Sequence, residues 1–199
     1  MTSTNDTIAS PDTALDPQLD AALDAELDAA AERAARLAAA GAEWSERIDA
    51  DRSVAQLTYR VRGVGEGPVA TRISAGKHEF VVDEPPALAG DDVAASPVEY
   101  ALGALISCQV VVYRLYAEAL GIPFDEISIT AEGDLDAARL FGKDPTVRAG
   151  FSDVRLAVQV TGDQPQHRYQ ELLSVVENHC PVLDLFANPT PVTTTLTTA

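Results

Sequence analysis

The chain has 199 residues, 46% of them hydrophobic, with 12 Gly and 12 Pro. That length and composition suit one globular domain with an appendage, or two very small domains, and exclude collagen-like and wholly disordered chains. Acids outnumber bases 31 to 14 for a net charge of −17, which argues against nucleic acid and anionic membrane surfaces as partners, since both are bound through Lys and Arg.

The opening stretch MTSTNDTIASPD has no basic segment followed by an apolar one, so it does not read as a secretory signal. The longest apolar run, Ala101 to Val112, is interrupted by Ser107, Cys108 and Gln109 and is too short to span a bilayer. A soluble, cytoplasmic protein is the expectation.

Residues 1–15 are polar and expected to be disordered. Residues 16–50 read as an acidic, Ala-rich helical arm. Asp16-Pro17 supplies an N-cap and a Pro at the first helical position. The helix is expected to run to about Ala40, with Gly41 as its stop. Leu19, Leu23 and Leu27 recur every four residues beside Asp20, Asp24 and Asp28, and like charges at that spacing weaken a helix slightly. Over residues 1–50 there are 11 acids and 3 bases. Such an arm is either a solvated helix on the main domain or a dimer-stabilising, partner-binding helix.

The main domain is expected over 54–199. From Val54 the hydrophobic period changes to two. Gln56–Arg62, Val69–Ser74 and His78–Val82 read as a three-stranded antiparallel meander. The run Gly63-Val64-Gly65-Glu66-Gly67 reads as a hairpin turn, since no helix opens after it to make a dinucleotide site. Ser96-Pro97-Val98-Glu99 carries a Ser N-cap, a Pro at N1 and a Glu at N3, which together predict a helix start with a capping box. That helix is expected to end at Gly121-Ile122-Pro123 and to be buried on most sides, because residues 101–112 are apolar nearly all round. Ile127–Leu135 and Val154–Thr161 alternate as strands. A second helix is expected from Pro165 to about His179, and a last strand over Pro191–Thr198. The order βββ–α–ββ–α–β is an α+β domain.

Chemistry in this chain turns on two thiols, Cys108 and Cys180. They are too few for a disulfide framework or a Cys-rich zinc site. His78, His167 and His179 have no metal-ligand spacing, so neither metal nor cofactor is expected. Cys108 lies about three turns into the central helix, where Ala104, Leu105, Val111 and Val112 share its face. Desolvation there raises a thiol pKa, and the helix dipole has faded. Cys108 is therefore either an inert core residue or a thiolate activated by a cation from elsewhere in space. Cys180 precedes Pro181 and would be the N-cap of a short helix Pro181–Ala187, where free N–H groups favour a thiolate. An incidental buried cysteine is the alternative. His179 reads as a helix C-terminal residue that suits the dipole.

Ser96 through Cys108, then Tyr113-Arg114-Leu115-Tyr116-Ala117, Glu132-Gly133-Asp134-Leu135, His179-Cys180-Pro181-Val182-Leu183-Asp184 and Asn188-Pro189-Thr190-Pro191-Val192, preceded by Asp83-Glu84-Pro85, resemble the osmotically inducible protein C / organic hydroperoxide resistance (OsmC/Ohr) family. The resemblance covers roughly residues 54–199 and leaves out the N-terminal arm. It implies an intertwined homodimer and a thiol peroxidase for organic hydroperoxides, with Cys108 peroxidatic and Cys180 resolving. It also implies an Arg paired with a Glu to activate the thiolate. Glu99 is the candidate acid, and Arg72, then Arg62, the candidate base. An external dithiol, such as a lipoylated protein, would recycle the enzyme. The competing reading is a non-peroxidase member of the same family, a small-molecule-binding or stress-associated module with structural cysteines.

Overall fold

The computed structural model describes residues 17–198. Asp16 and the tail over residues 1–15, expected to be disordered, lie outside the described residues. The chain divides into two compact units, one ending at Arg36 and the other spanning Leu37–Ala199.

A single helix, α1 (Pro17–Ala50), enters both units. In the first unit it is a solvated helix: Leu27 is 59% exposed, and Glu32 and Arg36 form an exposed ion pair one turn apart. The expected stop at Gly41 is not taken, and α1 runs nine residues beyond it. A helix-interior Gly costs about 1 kcal/mol relative to Ala. Ala-rich turns on both sides offset that cost, as do the Glu43–Arg47 pair and the Arg47 guanidinium 4.5 Å from the Trp44 ring centre.

The second unit continues with a 3-10 turn (Arg52–Ala55) and an antiparallel meander, β1 (Val61–Glu66), β2 (Ala70–Ala75) and β3 (His78–Val82). β1 lies downstream of the expected Gln56–Arg62. Gly63 and Gly65 pair inside the strand, opposite Ile73 and Thr71, and the turn falls on Gly67-Pro68-Val69. Gly67 supplies the positive φ of 56° and Pro68 cannot continue the ladder. None of these three strands contains a buried residue. The loop after β3 closes around Asp83, whose Oδ2 accepts the N–H groups of Asp91 (3.0 Å) and Val93 (3.2 Å).

Helix α2 (Pro97–Leu120) begins and ends where the sequence indicates. Ser96 and Glu99 form the capping box, and Gly121 closes the helix in the left-handed conformation. Its burial is a stripe rather than all-round. Leu105, Gln109, Val112, Tyr113 and Ala117 are buried, while Gly103, Ala104, Ser107 and Val111 are exposed. By length and composition α2 is the one described helix long and apolar enough to cross a membrane. The 12-residue count of its most apolar run understated it, because Tyr113 to Leu120 extend the same apolar helix. The buried stripe that packs on α3 and β4 marks it as the core helix of this unit.

Strands β4 (Glu126–Asp134) and β5 (Asp153–Thr161) form a separate antiparallel pair. The register sets Ile127 opposite Val160, Ile129 opposite Val158 and Ala131 opposite Leu156, all on the half-buried face. On the exposed face Asp134 and Asp153 stand opposite each other, and Arg155 bonds both, which removes their repulsion. Helices α3 (Gln166–His179) and α4 (Pro181–Ala187) follow as expected. The last expected strand does not form. Residues 189–198 form neither helix nor strand and are exposed throughout, with Val192 at 85% and Leu196 at 88%. The segment pairs with none of the strands β1 to β5.

The core gathers Val112, Tyr113 and Ala117 of α2, Ile122, Phe124, Leu172 and Val176 of α3, and Cys180. Leu172 is fully buried. Leu172→Ala is expected to cost about 2–5 kcal/mol by leaving a cavity. Denaturant unfolding checks this, with a midpoint clearly below that of the parent chain.

Candidate functional site: a thiol pair at the start of a short helix

Cys180 sits between α3 and α4, 2% exposed, as the N-cap of α4. Pro181 ends α3 because it offers no N–H, and it starts α4 because N1 needs none. The Cys180 side chain makes no capping hydrogen bond. The N–H of Val182 turns instead toward the sulfur of Cys108, which is half-buried on α2 and packs against the core beside Cys180. The two cysteines, 72 positions apart in sequence, come together near disulfide distance, with both thiols free. A bridge between them would close without large backbone movement.

Burial pushes the Cys108 thiol up from its ordinary value, and the neighbouring Cys180 adds to this. The Val182 N–H pulls in the opposite direction with less effect. No charged side chain is among these influences.

The other candidate residues are engaged elsewhere. Glu99 accepts from Ser96 N (2.8 Å) and Ser96 Oγ (2.6 Å), both through Oε2, and Glu99 N–H donates to Ser96 Oγ (3.4 Å). Nine residues separate it from Cys108 on a straight helix, roughly 13 Å along the axis and on the opposite side. Arg72, on β2, grips Glu66 with Nε–Oε1 at 2.7 Å and Nη2–Oε2 at 3.0 Å. Arg62 stands opposite Ser74 on the same sheet. Sequence reasoning missed a contact beside the thiols: the Tyr116 and His179 rings lie 4.6 Å apart, while His179 Nδ1 meets Val175 O at 2.7 Å. Spacing alone carried no signal for it, since it joins two helices.

The carboxylates that hold this framework respond to acid. Bonds to Ser96 hold Glu99 below the usual carboxylate range, and backbone N–H groups from Glu84, Val93, Asp91 and Asp92 do the same for Asp83. Their stabilisation is complete above the ordinary carboxylate pKa and is lost as pH falls through the lowered values. Thermal unfolding from pH 7 to pH 3 is therefore expected to show a falling Tm, and Glu99→Gln to flatten part of that fall. Parallel curves for the two proteins would contradict the expectation.

Solved structures share this architecture. An OsmC-like protein from Mycoplasma pneumoniae superposes with a TM-score of 0.58 at 16% identity, covering 66% of this chain and 89% of that one. An organic hydroperoxide resistance protein OsmC from Legionella pneumophila gives 0.52 at 22% identity, covering 66% and 90%. An organic hydroperoxide resistance protein from Elizabethkingia anophelis gives 0.51 at 20% identity, covering 65% and 88%. At these identities the likeness is one of fold. Comparison with curated proteins gives no match. The model of the OsmC-like protein family matches residues 90–195, from the loop before α2 through both cysteines and into the C-terminal segment. That span is more than half of the chain, and the protein belongs to the OsmC-like family.

Proposed function

We propose that the protein is a thiol peroxidase that reduces organic hydroperoxides to alcohols. The observation that carries this reading is the Cys108 sulfur held beside Cys180 and the Val182 N–H. The Cys108 thiolate attacks the distal peroxide oxygen. The O–O bond breaks, the alkoxide takes a proton and leaves as alcohol, and Cys108 becomes a sulfenic acid. The Cys180 thiol then displaces water from that sulfenic acid and forms the intramolecular disulfide. An external dithiol, such as a lipoylated protein, reduces it by exchange. Apolar surroundings at Cys108 favour alkyl over hydrogen peroxide. No cofactor or metal enters this cycle, and the cytoplasm supplies the reducing partner.

The working unit in this reading is a homodimer. Supporting it are the exposed apolar face of α2, the meander without a buried residue, and the unpaired segment 189–198. A second copy would bring Arg72, or Arg62, to Cys108, placing a cation beside the thiol. Glu99 Oε1 takes no part in the capping box and remains available to such a guanidinium. If Glu99→Gln lowers stability while peroxide turnover stays at the parent rate, Glu99 is a helix cap only.

The raised thiol favours a second reading, a family member that binds a small molecule and keeps structural cysteines. Two measurements separate the readings. Thiol titration before and after one equivalent of cumene hydroperoxide is expected to fall from two thiols to none. The alkylation rate of Cys108 against pH is expected to have its midpoint below the free-cysteine value of about 8.5. Two thiols after peroxide, or a midpoint above that value, would establish the binding module instead.

A further inference from the structure

Gly133 belongs to the Glu132-Gly133-Asp134-Leu135 motif and lies on the half-buried face of β4, paired with Val154 of β5. A regular strand position does not call for glycine's freedom at the backbone. The ring of Phe151 explains it. A Cβ on Gly133 would stand 2.6 Å from two of the ring carbons, whereas carbon atoms in contact sit about 3.5–4.0 Å apart. The chain beside Phe151 is pinned as well. Ser152 donates both its N–H (2.8 Å) and its hydroxyl (3.2 Å) to Asp134 O.

The Phe151 ring in turn stacks on Phe186 of α4, with centres 6.3 Å apart and planes 20° from parallel. Helix α4 has seven residues, too few to hold itself by its own hydrogen bonds, so its direction is set by what it touches. Leu183 packs against the core, and Phe186 meets Phe151. Cys180 is the N-cap of this helix. Val182, whose N–H lies beside the Cys108 sulfur, is one turn before Phe186 on the same helix face.

Resting on the thiol pair of the proposed peroxidase, we infer that Gly133, Phe151 and Phe186 form a clamp that aims α4 and so keeps Cys180 and the Val182 N–H on the Cys108 sulfur. They are positioning residues that act through α4. Two consequences follow for the thiols. The Val182 N–H pulls the Cys108 thiol down, so loosening the clamp raises it. Cys180 must also close on an oxidised Cys108, and a misplacement of about 1 Å can slow a positioned reaction about a hundredfold.

The test uses the full chain, reduced and then freed of reductant. Gly133→Ala and Phe186→Leu strike the clamp from two different elements. Alanine suits a strand backbone better than glycine, and leucine keeps the apolar bulk and the helix propensity, so both variants are expected to fold. Leu185→Ala, at a position on α4 that is 57% exposed, is the control. The first readout is the pH dependence of Cys108 alkylation. Its midpoint is expected to rise by at least about half a pH unit in both clamp variants and to stay at the parent value in the control. The second is disulfide closure by diamide. One thiolate adds to the N=N bond, and the other displaces the nitrogen from that sulfur. The two thiols become a disulfide and the diazene, taking two electrons and two protons, becomes a hydrazine. Closure is expected to slow at least about tenfold in both clamp variants. Phe186→Tyr keeps the ring and is expected to give parent values in both readouts. The double variant is expected to lose no more than either single one, since both break the same contact.

A clamp variant that lowers Tm but leaves either readout at the parent value overturns the inference, because a merely structural contact behaves that way. Additive effects in the double variant overturn it too. If one clamp variant does not fold, the other decides. Diamide involves no peroxide, so the two readings fail separately. Slowed closure in the variants of a protein that consumes no peroxide removes only the peroxidase. Peroxide turnover with closure unaffected by the variants removes only the clamp.

Discussion

Replacing Cys108 by Ser is expected to abolish hydroperoxide consumption, while Cys180→Ser is expected to allow a single turnover and then stop with Cys108 oxidised. The asymmetry follows from the roles proposed for the two sulfurs. Serine cannot form a sulfenic acid, so the first substitution removes the only step that breaks the O–O bond. The second leaves that step intact and removes the thiol that would displace water. Mass spectrometry of Cys180→Ser after one equivalent of cumene hydroperoxide should find one added oxygen on the peptide containing Cys108. With excess peroxide, and no resolving thiol, that oxygen count should rise to two or three. Burial of Cys180 also predicts that Cys108 alkylates first in the reduced parent protein, since Cys180 is 2% exposed and Cys108 is only half-buried. Equal turnover in both variants would end the assignment.

Sedimentation at low micromolar concentration is expected to find a dimer, and removal of residues 189–199 to weaken it at least tenfold. The physical reason is unspent apolar surface. Val111 is 53% exposed, Val61 64%, Val192 85% and Leu196 88%, and they lie on α2, the meander and the C-terminal segment. Single exposed apolar residues are ordinary. Here they line faces whose pattern asks for cover, and an obligate homodimer would bury more than about 2,000 Å² in total. The segment 189–198 is rich in β-branched Thr and Val, which favour strands, so a strand edge of a second copy is the natural place for it. A folded monomer at that concentration would refute the dimer. It would also remove the proposed source of the cation at Cys108.

Much of the fold could be read locally. Ser96, Pro97 and Glu99 mark the start of α2, and Gly121 marks its end, because capping chemistry lies within a few residues along the chain. Pro181 placed the α3–α4 junction and the N-cap position of Cys180 for the same reason. The alternating pattern of β4 and β5 announced both strands, since a period of two needs only one buried face. What failed turned on competing local propensities or on distant partners. Gly41 should end a helix by local rules, yet strong helix formers on both sides carry α1 through it. The Gly63–Gly67 run looked like a turn, yet cross-strand pairing with β2 absorbs most of it. Pro191–Thr198 has strand character, yet it pairs with none of β1 to β5.

The candidate site divides the same way. The sequence by itself determined which residues could carry thiol chemistry and where each lies on its own element: Cys108 well inside α2, Cys180 at a helix junction. Only the tertiary structure decided that the two cysteines come near disulfide distance, that the Val182 N–H lies beside Cys108, and that Glu99 and Arg72 are engaged with Ser96 and Glu66 within one chain. The physical reason is range. Capping, turns and hydrophobic period are set by neighbours a few positions away, whereas the environment of a thiol is set by whatever the fold brings beside it, here a helix 72 positions further along.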